Sequence, residues 1–258
     1  MSVENDPMHA DPSAHSHSKL AIIIVSYFAE KTIQHVLEQI PKDIVKRAAE
    51  IIVLDDASTD QTYDVAMAFK KEHGWDNLTV IHNEKNLGYG GNQKKGYHIC
   101  MDKNYDVVVM LHGDAQYPAS MIPQVVAPLE RNEADMSFGS RMTGKPLEGG
   151  MPVWKFCGNV FLTTYANLTM GTNLSEFHSG FRAYRVDALK KIDLDSCSDN
   201  FIFDTDIVIE LKKKNLRFAE CTIPTRYDKD SRQIRPIPVL RYGLQILKRT
   251  TLYALKHR

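Results

Sequence analysis

Cysteine is scarce in this chain and never clustered. Cys100, Cys157, Cys197 and Cys221 are the only four in 258 residues, and no C-x-x-C spacing occurs. That excludes a zinc ribbon or a dithiol redox motif, and the four read as reduced thiols. Net charge is lacking too: 32 Lys and Arg balance 32 Asp and Glu. The balance gives no reason to expect a nucleic-acid partner. No window supplies the ~20 apolar residues of a membrane span. Residues 1–18 lack the apolar core of a secretory signal, so the expected location is cytoplasmic. The N-x-S/T triplets at Asn77, Asn167 and Asn173 then read as chance matches. Two nucleotide signatures are also missing. No G-x-x-x-x-G-K-[ST] occurs, and "NLGYGGNQKKG" breaks G-x-G-x-x-G at Gln93. There is no internal repeat.

What is present is an ordinary globular composition, 43% hydrophobic and 25% charged. The expected division is a disordered tail over 1–18, one α/β domain over 19–236 and an amphipathic helix over 237–258. The tail carries His9, His15 and His17, for which a metal-binding tract is the alternative reading. Within the domain, apolar runs alternate with helical patterns. "KLAIIIVSY", "EIIVLDD", "LTVIHN" and "DVVVMLH" read as strands, the first rich enough in Ile and Val to be buried on both faces. "EKTIQHVLEQI", "STDQTYDVAMAFKKE" and "GGNQKKGYHICMDK" read as helices, the second with Ser58 and Gln61 as a capping box. The second half adds strands in "ADMSFGSR", "FHSGFRAYR" and "LRFAECTIP". It adds helices in "VWKFCGNVFLTTYANLTM", "FDTDIVIELKKKN" and Val239 to Lys256. The alternation predicts a mostly parallel, Rossmann-like sheet flanked by helices.

In such sheets ligands bind beyond the carboxyl ends of the strands. Those ends carry Ser26 to Glu30, Asp55 and Asp56, Asn83 to Gly91, and His112 to Gln116. Adjacent Asp55 and Asp56 suit a ribose hydroxyl or a nucleobase N–H, and a helix cap would account for one of them. The glycines after Asn86 let backbone approach a neighbouring segment or a nucleotide. In "HGDAQYP", His112, Asp114 and Gln116 alternate, and extended backbone would turn all three to one side. Two oxygens and an imidazole suit Mn²⁺ better than Mg²⁺. The alternative is a loop and a helix cap.

In their order these segments resemble family 2 glycosyltransferases of the GT-A fold. The layout is most similar to the dolichyl- or polyprenyl-phosphate hexose synthases. The family's P-x-Y-N-E turn becomes "SYFAE", which places Ser26, Phe28 and Glu30, without the proline and asparagine. Its D-D-G-S becomes Asp55 to Ser58, and its N-x-G-x-G becomes Asn86, Gly88 and Gly90. Asp114 and Gln116 match its metal segment, where His112 stands in place of the first acid. Gly139, Ser140 and Arg141 match G-S-R, Lys155 the basic residue after tryptophan, and "SGFRAY" a family signature. Arg226, Ser231 and Arg232 match R-x₄-S-K. The likeness runs from Leu20 to Arg235.

The resemblance implies a nucleoside-diphosphate sugar donor, an inverting displacement and a Mn²⁺ or Mg²⁺ ion held at His112, Asp114 and Gln116. It implies that Arg141, Lys155, Arg226 and Arg232 grip an acceptor phosphate. A hydroxyl acceptor needs a base instead, and Asp204 or Asp206 would supply one. Both acids also suit a helix start on dipole grounds alone. Three expectations follow: transfer to a polyprenyl phosphate, transfer to a sugar or lipid hydroxyl, or a weakly active nucleotide-sugar-binding partner subunit. A lipid-linked acceptor implies work at the cytoplasmic face of a membrane, on lipid or beside a membrane-embedded partner. The helix after Pro238 carries Leu240, Leu244, Leu247, Thr251 and Leu255 on one stripe, the expected contact with lipid or with the domain.

Overall fold

The computed structural model describes residues 18–224 and 236–257. Its frame is four parallel strands: β1 (Leu20–Ser26), β2 (Glu50–Asp55), β3 (Leu78–His82) and β4 (Val107–His112). They lie in the order β3-β2-β1-β4, with Ile23 of β1 between Ile52 and Met110. Every residue of β1 and β2 is buried. Because strand side chains alternate, β1 feeds two cores. Leu20, Ile22 and Ile24 join one cluster, while Ala21, Ile23 and Val25 join another. Helices α1 (Ile33–Glu38), α2 (Lys42–Arg47) and α3 (Thr62–His73) cover the first face. Helix α4 (Gly88–Asp102) covers the second, where Gly96 leaves room for Ile23 and Leu54.

The second half extends the same sheet through α5 (Ile122–Glu130), β5 (Met136–Ser140), α6 (Val153–Met170), β6 (Arg182–Arg185), α7 (Val186–Leu189), α8 (Phe203–Lys213), β7 (Phe218–Thr222) and α9 (Pro236–His257). The order is β3-β2-β1-β4-β6-β5-β7. Strand β6 runs antiparallel to both neighbours, and the other four pairings are parallel. A mostly parallel sheet between helical layers is what the alternation predicts.

Several local expectations fail for physical reasons. The first helix starts at Ile33, not Glu30, because residues 26–30 are tied to the loop after β2. Helix α2 was not foreseen, since six residues carry little periodicity. The capping box is absent. Ser58 donates to Asp55 and accepts from the Phe28 N–H (2.9 Å), while Asp60 accepts from the Thr62 N–H (3.1 Å) at the start of α3. Strand β6 begins only at Arg182, so "FHSG" is irregular. The tail up to residue 17 lies outside the described residues. The leucine stripe of α9 is divided: Thr251 meets Tyr165 of α6, Leu244 and Leu255 are exposed, and the fully buried positions are Ile246 and Thr250 beside the stripe.

Candidate active site

Three strand ends meet at the carboxyl edge of the sheet, where Ser26 pairs with Asp55 and Val25 with His112. After β1 the chain turns sharply. Phe28 sits at φ +52°, the Ala29 N–H donates to Thr62 Oγ1 (2.8 Å), and Glu30 accepts from the Gln61 N–H (3.1 Å). Ser26 is buried with its hydroxyl against Gly113, where a Cβ would lie 2.3 Å away.

Asp55 and Asp56, the expected nucleotide ligands, are both buried and held by neighbours. Asp55 accepts from Ser58 and is paired with His82 (2.6 Å). Asp56 accepts from Asn83 Nδ2 (2.9 Å), the Leu87 N–H (2.8 Å) and the Gly88 N–H (3.0 Å), so it braces the turn into α4. Asn86 tightens that turn by donating to the Asp56 carbonyl (3.1 Å) and accepting from Gly88 (3.0 Å). Gly88 needs its positive φ of +80°. A Cβ on Gly90 would lie 2.2 Å from the Ser198 carbonyl oxygen, and the Gly90 N–H donates to the Asp199 carbonyl (2.7 Å). The glycines therefore admit a neighbouring segment, the first of the two uses expected of them.

The loop after β4 departs from the alternation read in the sequence. The strand stops at His112, and Ala115 adopts a left-handed φ of +59°. Asp114 Oδ1 accepts from the Gln116 N–H (3.1 Å), closing a turn. His112, Asp114 and Gln116 thus do not converge by strand periodicity. The His112 ring instead sits edge-on to Tyr89 and Tyr117, and its Nε2 is 3.2 Å from the Tyr89 hydroxyl. That hydroxyl gives its proton to Asp204 Oδ2 (2.8 Å). With that proton on Asp204, the contact makes Nε2 the N–H donor toward Tyr89 and leaves the imidazole lone pair on Nδ1.

Asp204 belongs to a buried network that the sequence reading missed. Arg182, 1% exposed, donates to the carbonyls of Ser179 (2.7 Å), Asp204 (2.9 Å) and Phe177 (2.9 Å). Its guanidinium lies 3.5 Å from Asp204 Oδ1. Burial opposes the Arg182 charge, but the Asp204 carboxylate together with Tyr184 and Tyr89 outweighs it and raises the pKa. Burial, helped by the Asp204 charge, keeps the Tyr89 phenol protonated. Asp206 faces elsewhere, accepting from the Ser198 N–H (3.1 Å) and pairing with Arg249 of α9 (3.3 Å). Burial raises its pKa against both of those partners.

Two of the four expected phosphate cations come together. Arg141 donates through Nε to the fully buried Glu176 (2.9 Å) and lies over the Tyr117 ring, 5.8 Å from its centroid. Burial would raise the Glu176 pKa, but Arg141 pulls it down. Half-buried Lys155, on the first turn of α6, has its pKa lowered by burial and then by the like charge of Arg141. Arg226 and Arg232 lie outside the described residues. Glu176 and His178 were not singled out from the sequence. Burial pushes His178 down to about 4, and its Nδ1 is 3.3 Å from the Tyr242 hydroxyl of α9. Nothing local to "SEFHSG" marks either residue.

Among the described residues no group of three or more His, Cys, Asp or Glu side chains surrounds a metal-sized point. Asp114 suits a hard cation, which takes one or two carboxylates and completes its shell with phosphate oxygens and water. Its Oδ2 makes no hydrogen bond among the described residues. Also among them, no helix is long and apolar enough to cross a membrane.

Comparison with known proteins agrees with this geometry. The model of the family described as "Glycosyl transferase family 2" matches residues 21–193. An uncharacterised protein of Methanocaldococcus jannaschii is 30% identical over 209 residues, covering 81% of this chain and 82% of that protein. An undecaprenyl-phosphate mannosyltransferase of Micrococcus luteus is 29% identical over 182 residues, covering 68% and 71%. Among solved structures, glucosyl-3-phosphoglycerate synthase from Mycobacterium tuberculosis, in complex with Mn²⁺, UDP and phosphoglyceric acid, superposes with a TM-score of 0.67. It is 19% identical and covers 92% of this chain and 78% of that one, a likeness of fold, the GT-A arrangement.

Proposed function

The chain belongs to glycosyl transferase family 2, and we propose that it moves a hexose from a nucleoside-diphosphate sugar onto a polyprenyl-phosphate acceptor. The observation that carries this reading is Arg141 over the ring of Tyr117, three residues beyond Asp114, with Lys155 near enough to feel the Arg141 charge. The named mannosyltransferase relative points the same way.

In this reading the donor lies across the carboxyl edge of the sheet, with its diphosphate toward Asp114. Asp114 would hold a divalent cation there together with diphosphate oxygens. That the structural neighbour was solved with Mn²⁺ and UDP supports a donor diphosphate accompanied by a divalent cation. Such an ion, when bound, stabilises the charge that develops on the departing diphosphate. Arg141 and Lys155 hold the acceptor phosphate, which is already an anionic nucleophile and needs no base. One of its oxygens attacks the anomeric carbon as the bond to the diphosphate oxygen breaks, and configuration inverts. Asp206 is tied by Ser198 and Arg249, which suits an acceptor that asks for no proton removal. Arg226 and Arg232 are assigned to the same acceptor phosphate. Ser26, Phe28, Glu30, Asp55, Asp56 and the Asn86–Gly90 turn shape the nucleotide end.

A second reading has one observation of its own. Asp204 Oδ1 is buried without a hydrogen bond, as a base waiting for a hydroxyl would be. The test is transfer from a panel of nucleotide hexoses, with Mn²⁺, to a short-chain prenyl phosphate and to the matching prenyl alcohol. Product on the phosphate alone is expected. Product on the alcohol alone transfers the assignment to the hydroxyl reading.

A further inference from the structure

Helix α6 buries Asn159, Thr163, Ala166 and Met170 and turns its opposite face to solvent. That face is apolar: Trp154 is 52% exposed, Phe161 60%, and Val153 and Val160 are exposed beside them. Trp154 and Phe161 are seven residues apart, two helical turns, so they form one ridge. Helix α9 packs alongside α6. Gly243 lies against Leu162, with its Cβ position 3.6 Å from Leu162 Cδ1, and the Tyr165 and Thr251 hydroxyls are 2.7 Å apart. Leu244 follows Gly243 directly, and Leu255 lies one turn beyond Thr251. Both are exposed, Leu255 by 78%. Helical spacing places them at the margin of α9 nearest the α6 ridge. A single apolar surface therefore spans both helices.

Its charge has one sign. Neither the 18 residues of α6 nor the 22 of α9 include Asp or Glu. Exposed Arg241 and Lys248 flank Leu244 on the far side of α9. In a chain whose charges balance overall, two adjacent helices without an acid are a local departure. An aromatic and aliphatic ridge bordered by cations complements the anionic headgroups and acyl boundary of a bilayer. The surface is also continuous with the site. Lys155 follows Trp154 on α6, and Tyr242 of α9 reaches His178.

We infer that the joint α6–α9 face docks on an anionic lipid surface and sets the height at which Arg141 and Lys155 meet an acceptor phosphate. The inference rests on the lipid-linked acceptor reading above. The seating face takes in Leu244 and Leu255 of the leucine stripe legible in the sequence, and α6 adds the aromatics that the stripe lacks.

The test is co-sedimentation of the full chain with vesicles of phosphatidylcholine, with and without phosphatidylglycerol. Binding is expected only with phosphatidylglycerol, weakening as salt rises. Phe161→Glu with Leu255→Glu, both at exposed positions, should lower binding by at least roughly tenfold and leave the thermal melt in place. In a Trp75→Phe background, Trp154 emission should shift to the blue on vesicles. Unchanged binding by the double variant, equal binding to neutral vesicles, or no binding at low salt overturns the inference. So does binding that requires membrane protein in the vesicles, which assigns the face to a membrane-embedded partner. A dimer in solution dissolved by the same substitutions assigns it to a second copy. Transfer to a water-soluble prenyl phosphate separates the two readings. If transfer is absent while vesicles bind as stated, the acceptor assignment fails and the face stands. If transfer is present while vesicles do not bind, the face fails alone.

Discussion

Gly180 gives the most direct test of how the site is held together. A Cβ at this position would lie 2.4 Å from His112 Cε1 and 2.6 Å from Nε2. Carbon atoms prefer about 3.5–4.0 Å, so Gly180→Ala forces the two apart by roughly 1 Å. The backbone has little freedom to yield, because the Gly180 N–H donates to the buried Tyr117 hydroxyl (2.8 Å). The ring has little either, standing edge-on to Tyr89 and Tyr117 with both centroids 5.4 Å away. Overpacking of this kind costs about 1–3 kcal/mol. At this chain length each kcal/mol moves Tm by about 2–4 °C, so the melt should fall by several degrees. A displacement of about 1 Å beside the reacting groups should also lower turnover by up to ~10²-fold. The assay is a double-mutant cycle by thermal or denaturant melts. Removing the ring with His112→Ala should make Gly180→Ala nearly harmless, recovering about 1 kcal/mol or more of the loss. A single Gly180→Ala variant that melts with the parent, or a cycle with no coupling, would refute the packing argument.

Other outcomes follow from the same geometry. Asp114→Asn should lower turnover by at least ~10²-fold at saturating Mn²⁺ if Asp114 holds the cation as proposed, since a charge-stabilising group is lost; steady-state rates at several Mn²⁺ concentrations check this. His178 gives a pH signature. Burial depresses its folded pKa to about 4, below the roughly 6.5 of an unfolded histidine. The unfolded chain therefore takes the proton first, and stability is lost as pH falls from roughly 6.5 toward about 4. Melts across that range should show a shallower loss in His178→Gln than in the parent; identical slopes would exclude His178 as the source.

What was legible in the sequence follows from how each element is buried. Strands β1, β2 and β4 are covered on both faces, so they read as unbroken apolar runs with clear ends. The polar residues at those ends marked the site before any geometry was known. The insertion of antiparallel β6 between β4 and β5 was not legible, because strand order depends on pairings far apart in sequence. Arg182 illustrates the same limit. It belongs to a recognisable segment, yet its role depends on carbonyls at 177, 179 and 204, which only the folded path brings together.

The polar groups at the strand ends show a further limit, since a residue type states what a side chain offers and not whether the offer is already taken. Asp55 and Asp56 looked like a nucleotide grip, and the fold gives them His82, Ser58, Asn83 and two backbone N–H groups. His112 looked like a metal ligand by alternation, but alternation holds only while backbone stays extended, and Ala115 ends that at φ +59°. A tyrosine hydroxyl has one proton, and Tyr89 directs it to Asp204, so the imidazole must donate. A carboxylate at position 112 could not do this. It would face the Tyr89 oxygen with lone pairs and add a second negative charge beside Asp204. The exchange of an acid for His112 is thus compatible with this network in a way that the acid is not. Asp114, held by a turn rather than by a strand, accepts through Oδ1 alone among the described residues and so keeps Oδ2 for a cation.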